Sequence, residues 1–582
     1  MKSERNNKLA TIFKEMSSIY KYMGAEERFR AISYGKASKV IDNLQDDVSI
    51  YIKKNTLEEL PGIGESISEK IKEFIKTGEI KKYELLKKNT PHELIDMMEI
   101  RGFGPQSLKR IYNELNISTK KELINAIKDG RIQNLKGFGK AKTDGMLRGL
   151  KLHKIIEERM LLWDAMLVGK IIVDWLIQVP EIIQIEIAGS LRRKKETIGD
   201  IDILISCENK NRKKIINHFT NPSIAKQIIA KGTTKASIII TEYEKQIDLR
   251  IIDKDEWGSA LLYFTGSKEH NIHLRTIAKE KGYKLSEYGV YKINGEIKIG
   301  SKTEEEIYST LGYQMIPPEM REDKGEIELA KENKIPKLIS LEDIKGDLQM
   351  HSLWSDGVSS IEDITKFIKR NYSYEYIAIT DHSKSSRIAN GLDEKKILNQ
   401  IKEIELINEK LGENFVKTGI EVDILPNGKI DISDEVLSQL SWVTASIHSG
   451  FKNDNTDRII RACENPYIHC IGHPTGRLIG EREAYKIDMK QIIEIAKQTN
   501  TALEINAQPK RMDLNDEYCM NAIENGVKLV ISTDSHTLQN FEYMTLGVSI
   551  ARRAWCKSSN ILNTMKWLEI EKWIKKKRKL KL

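Results

Sequence analysis

Nowhere in this chain of 582 residues do apolar residues run for the ~18 positions that a membrane span needs. The first eight residues, Met-Lys-Ser-Glu-Arg-Asn-Asn-Lys, carry charge but lead into no apolar core, so no signal peptide is expected. Cysteine is scarce. Cys207, Cys463, Cys470, Cys519 and Cys556 are odd in number and contain no C-x-x-C pair. That excludes a disulfide framework and leads us to expect a reduced, cytoplasmic protein. Neither sign of charge dominates: the net charge is +9, with 31% charged residues. So modest an excess is compatible with a polyanionic partner but does not argue for one. With 40% hydrophobic residues, the chain is a globular protein long enough for about four domains.

The densest concentration of chemistry lies at Gly189-Ser-Leu-Arg-Arg-Lys-Lys-Glu-Thr-Ile-Gly-Asp-Ile-Asp, followed by an apolar run to Ile205. The runs at 182–187 and 201–205 read as buried strands, being short, β-branched and bounded by turn residues. Asp200 and Asp202, two apart on the second strand, should share a face with Cβ atoms roughly 6–7 Å apart. Residues 237–241 and 246–252 read as a strand pair about a turn at Tyr243, which brings in a third acid, Asp248. Carboxylates so placed suit Mg²⁺, and Mg²⁺ suits phosphates. An Asp-x-Asp alone is more often a solvated edge; the Gly-Ser turn and paired arginines tip the reading toward nucleoside triphosphate chemistry.

The stretch resembles the nucleotidyltransferase signature of the polymerase beta superfamily. Leu262-Tyr-Phe-Thr-Gly-Ser-Lys-Glu-His-Asn-Ile-His-Leu-Arg275 is similar to the palm-to-thumb junction of family X DNA polymerases. The resemblance implies that Asp200, Asp202 and Asp248 are catalytic and hold two Mg²⁺ or Mn²⁺. It implies that Gly189, Ser190, Arg193 and Gly199 grip the triphosphate. Tyr263 and Phe264 would face the incoming sugar, Gly266 would belong to the same nucleotide site, and Asn271 and Arg275 would touch the base and template. Three positions depart from the pattern: Lys194 in place of Gly, Gln246 in place of Arg, and Lys268 in place of an acid.

Three Gly-x-Gly turns precede amphipathic helices in the first 150 residues: Gly62/Gly64, Gly102/Gly104 and Gly137/Gly139. Glycine permits positive φ, and the free amides of such a turn and of a helix start can bind a phosphate. One such turn is usually a connector; three resemble helix-hairpin-helix elements that hold a DNA backbone without reading sequence. The first segment also resembles the lyase domain of polymerase beta. Lys70 falls on its Schiff-base lysine, Tyr34 and Arg30 on supporting positions, and Ser66 where a second lysine stands. Lys70 as an ordinary solvated helix lysine is the equal alternative.

From Gly346 onward, short strands alternate with helices, the texture of an α/β barrel or layered fold. Five histidines and three acids fall at the ends of apolar runs: His351, Asp356, His382, Glu421, His448, His473, Asp534 and His536. Strand ends are where barrels build their sites, and mixed nitrogen and oxygen donors suit Zn²⁺, Mn²⁺ or Fe²⁺. His469 fits no such motif and reads as structural. The set resembles the polymerase and histidinol phosphatase (PHP) domain, a metal-dependent phosphoesterase. In polymerases that resemblance implies 3′-end trimming and cutting at abasic sites. Gln349 stands where that motif's first histidine falls.

The expected fold is therefore multidomain α+β and α/β: a helical helix-hairpin-helix region, a nucleotidyltransferase palm with thumb, and a distorted (β/α) barrel. The expected divisions are 1–90 (lyase-like), 91–150 (fingers-like), 151–265 (palm), 266–320 (thumb), 321–340 (linker) and 341–575 (PHP). The function implied is a monomeric repair polymerase filling short gaps with deoxynucleoside triphosphates on gapped or primed DNA. It would also carry 3′-5′ exonuclease and abasic-site cleavage and a lyase activity. The alternatives are a repair nuclease whose polymerase half only holds DNA, and an architectural DNA-binding protein. The basic run from Lys572 either touches DNA or is a solvated helix end.

Overall fold

Glycine spacing organises the first 150 residues. In the computed structural model, which describes residues 4–42, 44, 46–100, 102–241, 243–293 and 298–580, the three Gly-x-Gly turns share one conformation. The first glycine takes positive φ: +85° at Gly62, +99° at Gly102 and +82° at Gly137. The residue between the glycines is buried (Ile63, Phe103, Phe138). Its N–H donates to the carbonyl three back, on Leu60, Ile100 and Leu135, at 3.0–3.1 Å. Gly64 and Gly104 then cap helices Glu65–Thr77 and Pro105–Leu115, and Gly139 precedes Lys140–Glu158. Gly102 is needed twice over, because a Cβ there would lie 3.2 Å from the Met146 backbone. One apolar core runs from Leu9 to Met146, so the lyase-like and fingers-like stretches share it.

The chain divides into two compact units, residues 1–155 with 478–483, and residues 156–477 with 484–582. The second begins with a five-stranded sheet. Gln184–Ile187 pairs antiparallel with Ile201–Ser206, which pairs parallel with Gln246–Ile252. Lys235–Ile240 and Ala225–Lys231 complete it in antiparallel order. Helices Trp257–Thr265 and Lys268–Glu280 lead to a small antiparallel sheet of Tyr283–Ser286, Gly289–Lys292 and Lys298–Gly300.

The stretch 321–340 is not the linker its acids and lysines suggest. It contains helix Glu326–Lys331, and Ile327, Ala330 and Leu338 join the same buried core as Leu274, Ile307 and Leu311. Burying those apolar side chains outweighs the polarity of the residues between them.

Seven parallel strands follow in sequential order: Gly346–Asp347, Tyr376–Ile379, Val416–Asp423, Trp442–Ser446, Cys470–Ile471, Ala502–Asn506 and Leu529–Ser532. All but one of their residues are buried, as expected of strands covered on both faces. A parallel bridge between Met350 and Ser535 brings the last strand back to the first, nearly closing a barrel. Below that bridge the seam is filled by one side chain. Asn563 Nδ2 donates to the Gly346 and Ile531 carbonyls (2.8 Å each), and its Oδ1 accepts the Ile531 N–H (3.1 Å).

Over its described residues, to Leu580, the basic C-terminal run is neither frayed nor wholly solvated. Helix Trp567–Arg578 buries Ile570 and Ile574 in the barrel's core, and Lys577 is 2% exposed. The Lys577 ammonium donates to the carbonyls of Cys463 (2.8 Å) and Thr499 (3.1 Å) and to Thr501 Oγ1 (2.6 Å). All five cysteines are free and buried. Among the described residues, no helix is long and apolar enough to cross a membrane.

Candidate functional site

The palm acids converge through strand register. Asp202 pairs directly with Asp248 across the parallel strands, so both carboxylates leave the same face one strand spacing apart. Asp200 lies one residue before its strand rather than on it, and is exposed. The strand opens only after the tight turn at Gly199, which leaves room for the Arg159 guanidinium bound to Thr197 (2.6 and 2.9 Å). Burial pushes Asp202 up to about 7, reinforced by the like charges of Asp200 and Asp248 and opposed by Arg250 and Lys235. Asp248 accepts from Gln246 Nε2 (2.9 Å) and lies 3.4 Å from Lys235. Three carboxylates gathered on one face, with the Asp202 pKa raised by burial and by its two neighbours, want a cation between them, so the donor set fits a hard divalent metal.

Above them, Gly189 begins the single turn Gly189–Arg192 at φ +61°; any Cβ there would collide with the Asp202 carboxylate. Ser190 is half-buried on that turn. Lys194, where the resemblance has glycine, sits at φ +55°, a conformation costing a side chain about 1–2 kcal/mol. Arg193 does not point free: its Nε donates to Glu322 (3.1 Å) and its Nη1 to the Thr265 carbonyl beside Gly266. Arg192 is locked by Glu304 (2.8 and 2.9 Å) and Thr265. Tyr263 and Phe264 meet edge to face at 5.2 Å. Asn271 Nδ2 donates to the Tyr263 carbonyl (2.7 Å), and Arg275 Nε to the Asn271 carbonyl (3.2 Å). Asn271 and Arg275 share a face of Lys268–Glu280 and line one small cleft with Tyr263.

At the barrel's mouth the eight histidines and acids are gathered. Among the described residues, two overlapping groups could hold a metal ion: His351, Asp356, His382 and His536, and His382, Glu421 and His448. Glu421 is the hub. His382 Nδ1 lies 2.9 Å from it, His473 Nε2 3.2 Å and His448 Nε2 3.5 Å. Asp534 accepts from His351 Nε2 (3.0 Å), and Asp356 lies 3.4 Å from His536 and 3.6 Å from His382. Neither Glu421 oxygen, nor His351 Nδ1 or His473 Nδ1, has a hydrogen-bond partner of ordinary geometry although all are buried. Ligand-type atoms buried and unsatisfied are what a metal would complete.

Burial alone would raise the acids and lower the histidines. Instead the charges of His382 and His448 hold Glu421 well below its ordinary range. Against the same burial, Glu421 and Asp423 push His448 up to about 10, while Asp356 and Asp534 push His536 to about 9. His473 goes the other way, to about 4, through burial and Arg511. The surrounding cavity, about 540 Å³, also takes in Arg387 and Arg511. Gln349 is fully buried with neither amide atom hydrogen-bonded. His469 stands apart: it is buried and neutral, and its Nδ1 accepts the Val443 N–H (3.0 Å).

Asp423, absent from the residues expected of this site, accepts from His448 Nδ1 (2.9 Å) and Ser386 Oγ (2.7 Å). Its signal was available, since it falls two after Glu421 on one strand and so shares its face. Glu504 and Asn506 form a supporting layer under His473 and Asp534; buried in strand Ala502–Asn506, they read as core.

In the N-terminal unit, Lys70 Nζ donates to Ser66 Oγ (3.0 Å) and the Ser66 carbonyl (2.8 Å). Tyr34 is buried between Phe13 and Tyr20, and Arg30 pairs with Glu27 at 2.8 Å.

Comparison with known proteins covers both halves. The helix-hairpin-helix domain family matches residues 4–80, the DNA polymerase beta palm 164–252 and the DNA polymerase beta thumb 260–322. The "DNA polymerase/3'-5' exonuclease PolX" of Bacillus subtilis (strain 168) is 39% identical over 571 residues, 97% of this chain and 98% of that protein. A "DNA polymerase lambda" of Arabidopsis thaliana is 24% identical over 54% of this chain and 62% of its own length. A "Probable phosphatase" of Caldicellulosiruptor bescii is 33% identical over 142 residues, 22% of this chain and 57% of that protein. Acids in strand register beneath a Gly-Ser turn, a histidine-ringed barrel, and identity along almost the whole of both chains together place this protein among the family X DNA polymerases of the PolX kind.

Proposed function

We propose that the chain is a DNA-directed DNA polymerase that fills short gaps in repair and trims 3′ ends with its own 3′-5′ exonuclease. The observation that carries this is the pairing of Asp202 with Asp248 beneath the Gly189 turn, in a chain that also builds the Glu421-centred cluster. Asp200, Asp202 and Asp248 hold Mg²⁺ or Mn²⁺, which would neutralise charge on the transferring phosphoryl group. Ser190 and Arg193 bind the triphosphate, and Gly189 and Gly199 give it room. Tyr263, Phe264, Asn271 and Arg275 position the sugar and base. The eight barrel residues hold Zn²⁺, Mn²⁺ or Fe²⁺, with Arg387 and Arg511 drawing in the phosphodiester. Its divisions are a DNA-holding helical region before about residue 150, a palm and thumb to about 340, and a hydrolytic barrel beyond.

The test is primer extension across a short gap by clean protein, with Mg²⁺ or Mn²⁺. Template-directed incorporation is expected; none with either metal sinks the reading. A 5′-deoxyribose phosphate lyase step is assigned to Lys70, whose amine attacks the sugar aldehyde with loss of water. Borohydride should trap the adduct, and trapping that persists in Lys70→Ala would move the nucleophile elsewhere.

A further inference from the structure

Arg193 and Glu322 meet a third residue that comes from the hydrolytic half. Arg553, in the last turn of helix Met544–Arg553, is 6% exposed. Its Nη1 donates to Glu322 Oε1 (3.0 Å), the oxygen that Arg193 Nε also holds (3.1 Å), and to the Arg193 carbonyl (2.8 Å). Its Nη2 donates to Asp516 Oδ2 (2.7 Å), which anchors it within its own domain. Lys195 approaches the other Glu322 oxygen at 3.5 Å. Both Arg193 and Glu322 are largely buried, with side chains 12% and 13% exposed.

Accepting the triphosphate role of Arg193 given above, we infer that Glu322 parks the Arg193 guanidinium in the nucleotide-free enzyme, and that Arg553 is the positioning residue that lets it leave. A triphosphate can recruit Arg193 only by drawing it off Glu322. Stranding a buried carboxylate is expensive, but Glu322 keeps Arg553 and Lys195 when Arg193 departs. Without Arg553, Arg193 becomes the principal neutraliser of Glu322 and is held back. The hydrolytic domain thus sets the nucleotide affinity of a polymerase site with which it shares no ligand. No covalent step is involved; one ion pair is exchanged for another.

The signs of the expected effects are opposite, which a merely structural role would not produce. Glu322→Gln should lower KM for the nucleotide, and Arg553→Ala should raise it on the order of tenfold, with kcat little changed in both. The double variant Arg553→Ala/Glu322→Gln should return to the KM of Glu322→Gln, and Arg553→Lys should recover part of the loss. Exonuclease rate and melting temperature report the fold. A double variant as impaired as Arg553→Ala, or a Glu322→Gln with unchanged or higher KM, overturns the inference. Glu322→Gln decides it alone if Arg553→Ala does not fold. Arg193→Ala separates the two layers. If its KM is unchanged, the triphosphate role falls and takes this inference with it. If its KM rises while Glu322→Gln has the wrong sign, only this inference falls.

Discussion

The two metal-type sites answer the same electrostatic problem in opposite ways. The palm's ligand-type groups are all acids, one of them exposed, and they repel despite Lys235 and Arg250 nearby: Asp202 is driven up to about 7 by burial and by its neighbours. The barrel interleaves histidines with its acids. There the imidazoles are pushed up, His448 to about 10 and His536 to about 9, while Glu421 is pulled down. The first site is incomplete until a cation arrives. The second neutralises itself with protons, which a cation must displace. The acid-only site therefore gains a missing charge partner when it binds metal, whereas the self-neutralised one binds metal only in exchange for protons.

Asp202→Ala should test the separation most severely. Nucleotide addition is expected to fall about 100- to 1,000-fold, with 3′-end release in Mn²⁺ intact; loss of both with the fold preserved would mean that the barrel is not the nuclease. His382→Ala, which belongs to both barrel groups, should do the reverse, lowering hydrolysis on the order of 100-fold while gap filling survives.

The pH dependence of metal binding sharpens the contrast. A proton on Asp202 competes with metal below about pH 7, so palm affinity should climb with pH to about 7 and then level. Protons on His448 and His536 compete up to about pH 9 and beyond, so barrel affinity should still climb there. Mn²⁺ calorimetry on His382→Ala and Asp202→Ala, in two buffers of different ionisation enthalpy, measures each curve and the protons released. A palm curve still rising above pH 8 would erase the distinction. The smallest effect is expected at Arg477, which clasps the palm's Glu196 and the Arg511 carbonyl. Arg477→Ala should lose about 1–2 kcal/mol of stability, seen as a lower melting temperature, with both activities per folded molecule unchanged. Selective loss of one activity would show that the sites are coupled there.

Much of both sites was legible because strands repeat with period two and barrels expose their strand ends. That spacing places Asp202, Asp248, Glu421 and His448 on strands or at strand ends that can face a site, and the surrounding motifs give them their expected roles. Asp423 obeys the same rule, at the end of the strand that carries Glu421, but the resemblance implies no ligand role for it. Other features left no local trace. Lys577 looks like one more solvated lysine until three oxygens close around it. Residues 321–340 hide Ile327, Ala330 and Leu338 among charges. Glu322 and Arg553 are separated by 231 positions, a distance across which no periodicity can speak.

The seam filled by Asn563 carries a consequence for the order in which the protein comes into being. On the ribosome, Asp200, Asp202 and Asp248 emerge before the barrel's first strand has been made, and their sheet needs nothing later than residue 252. The hydrolytic cluster has no such freedom. His351 and Asp534 lie on the two sides of the seam, joined by the Met350–Ser535 bridge, and the first and last strands are held by the Asn563 amide. Until residue 563 has left the exit tunnel the barrel has no clasp, so in a nascent chain the strands that carry the palm acids can pair well before the barrel's first and last strands are joined.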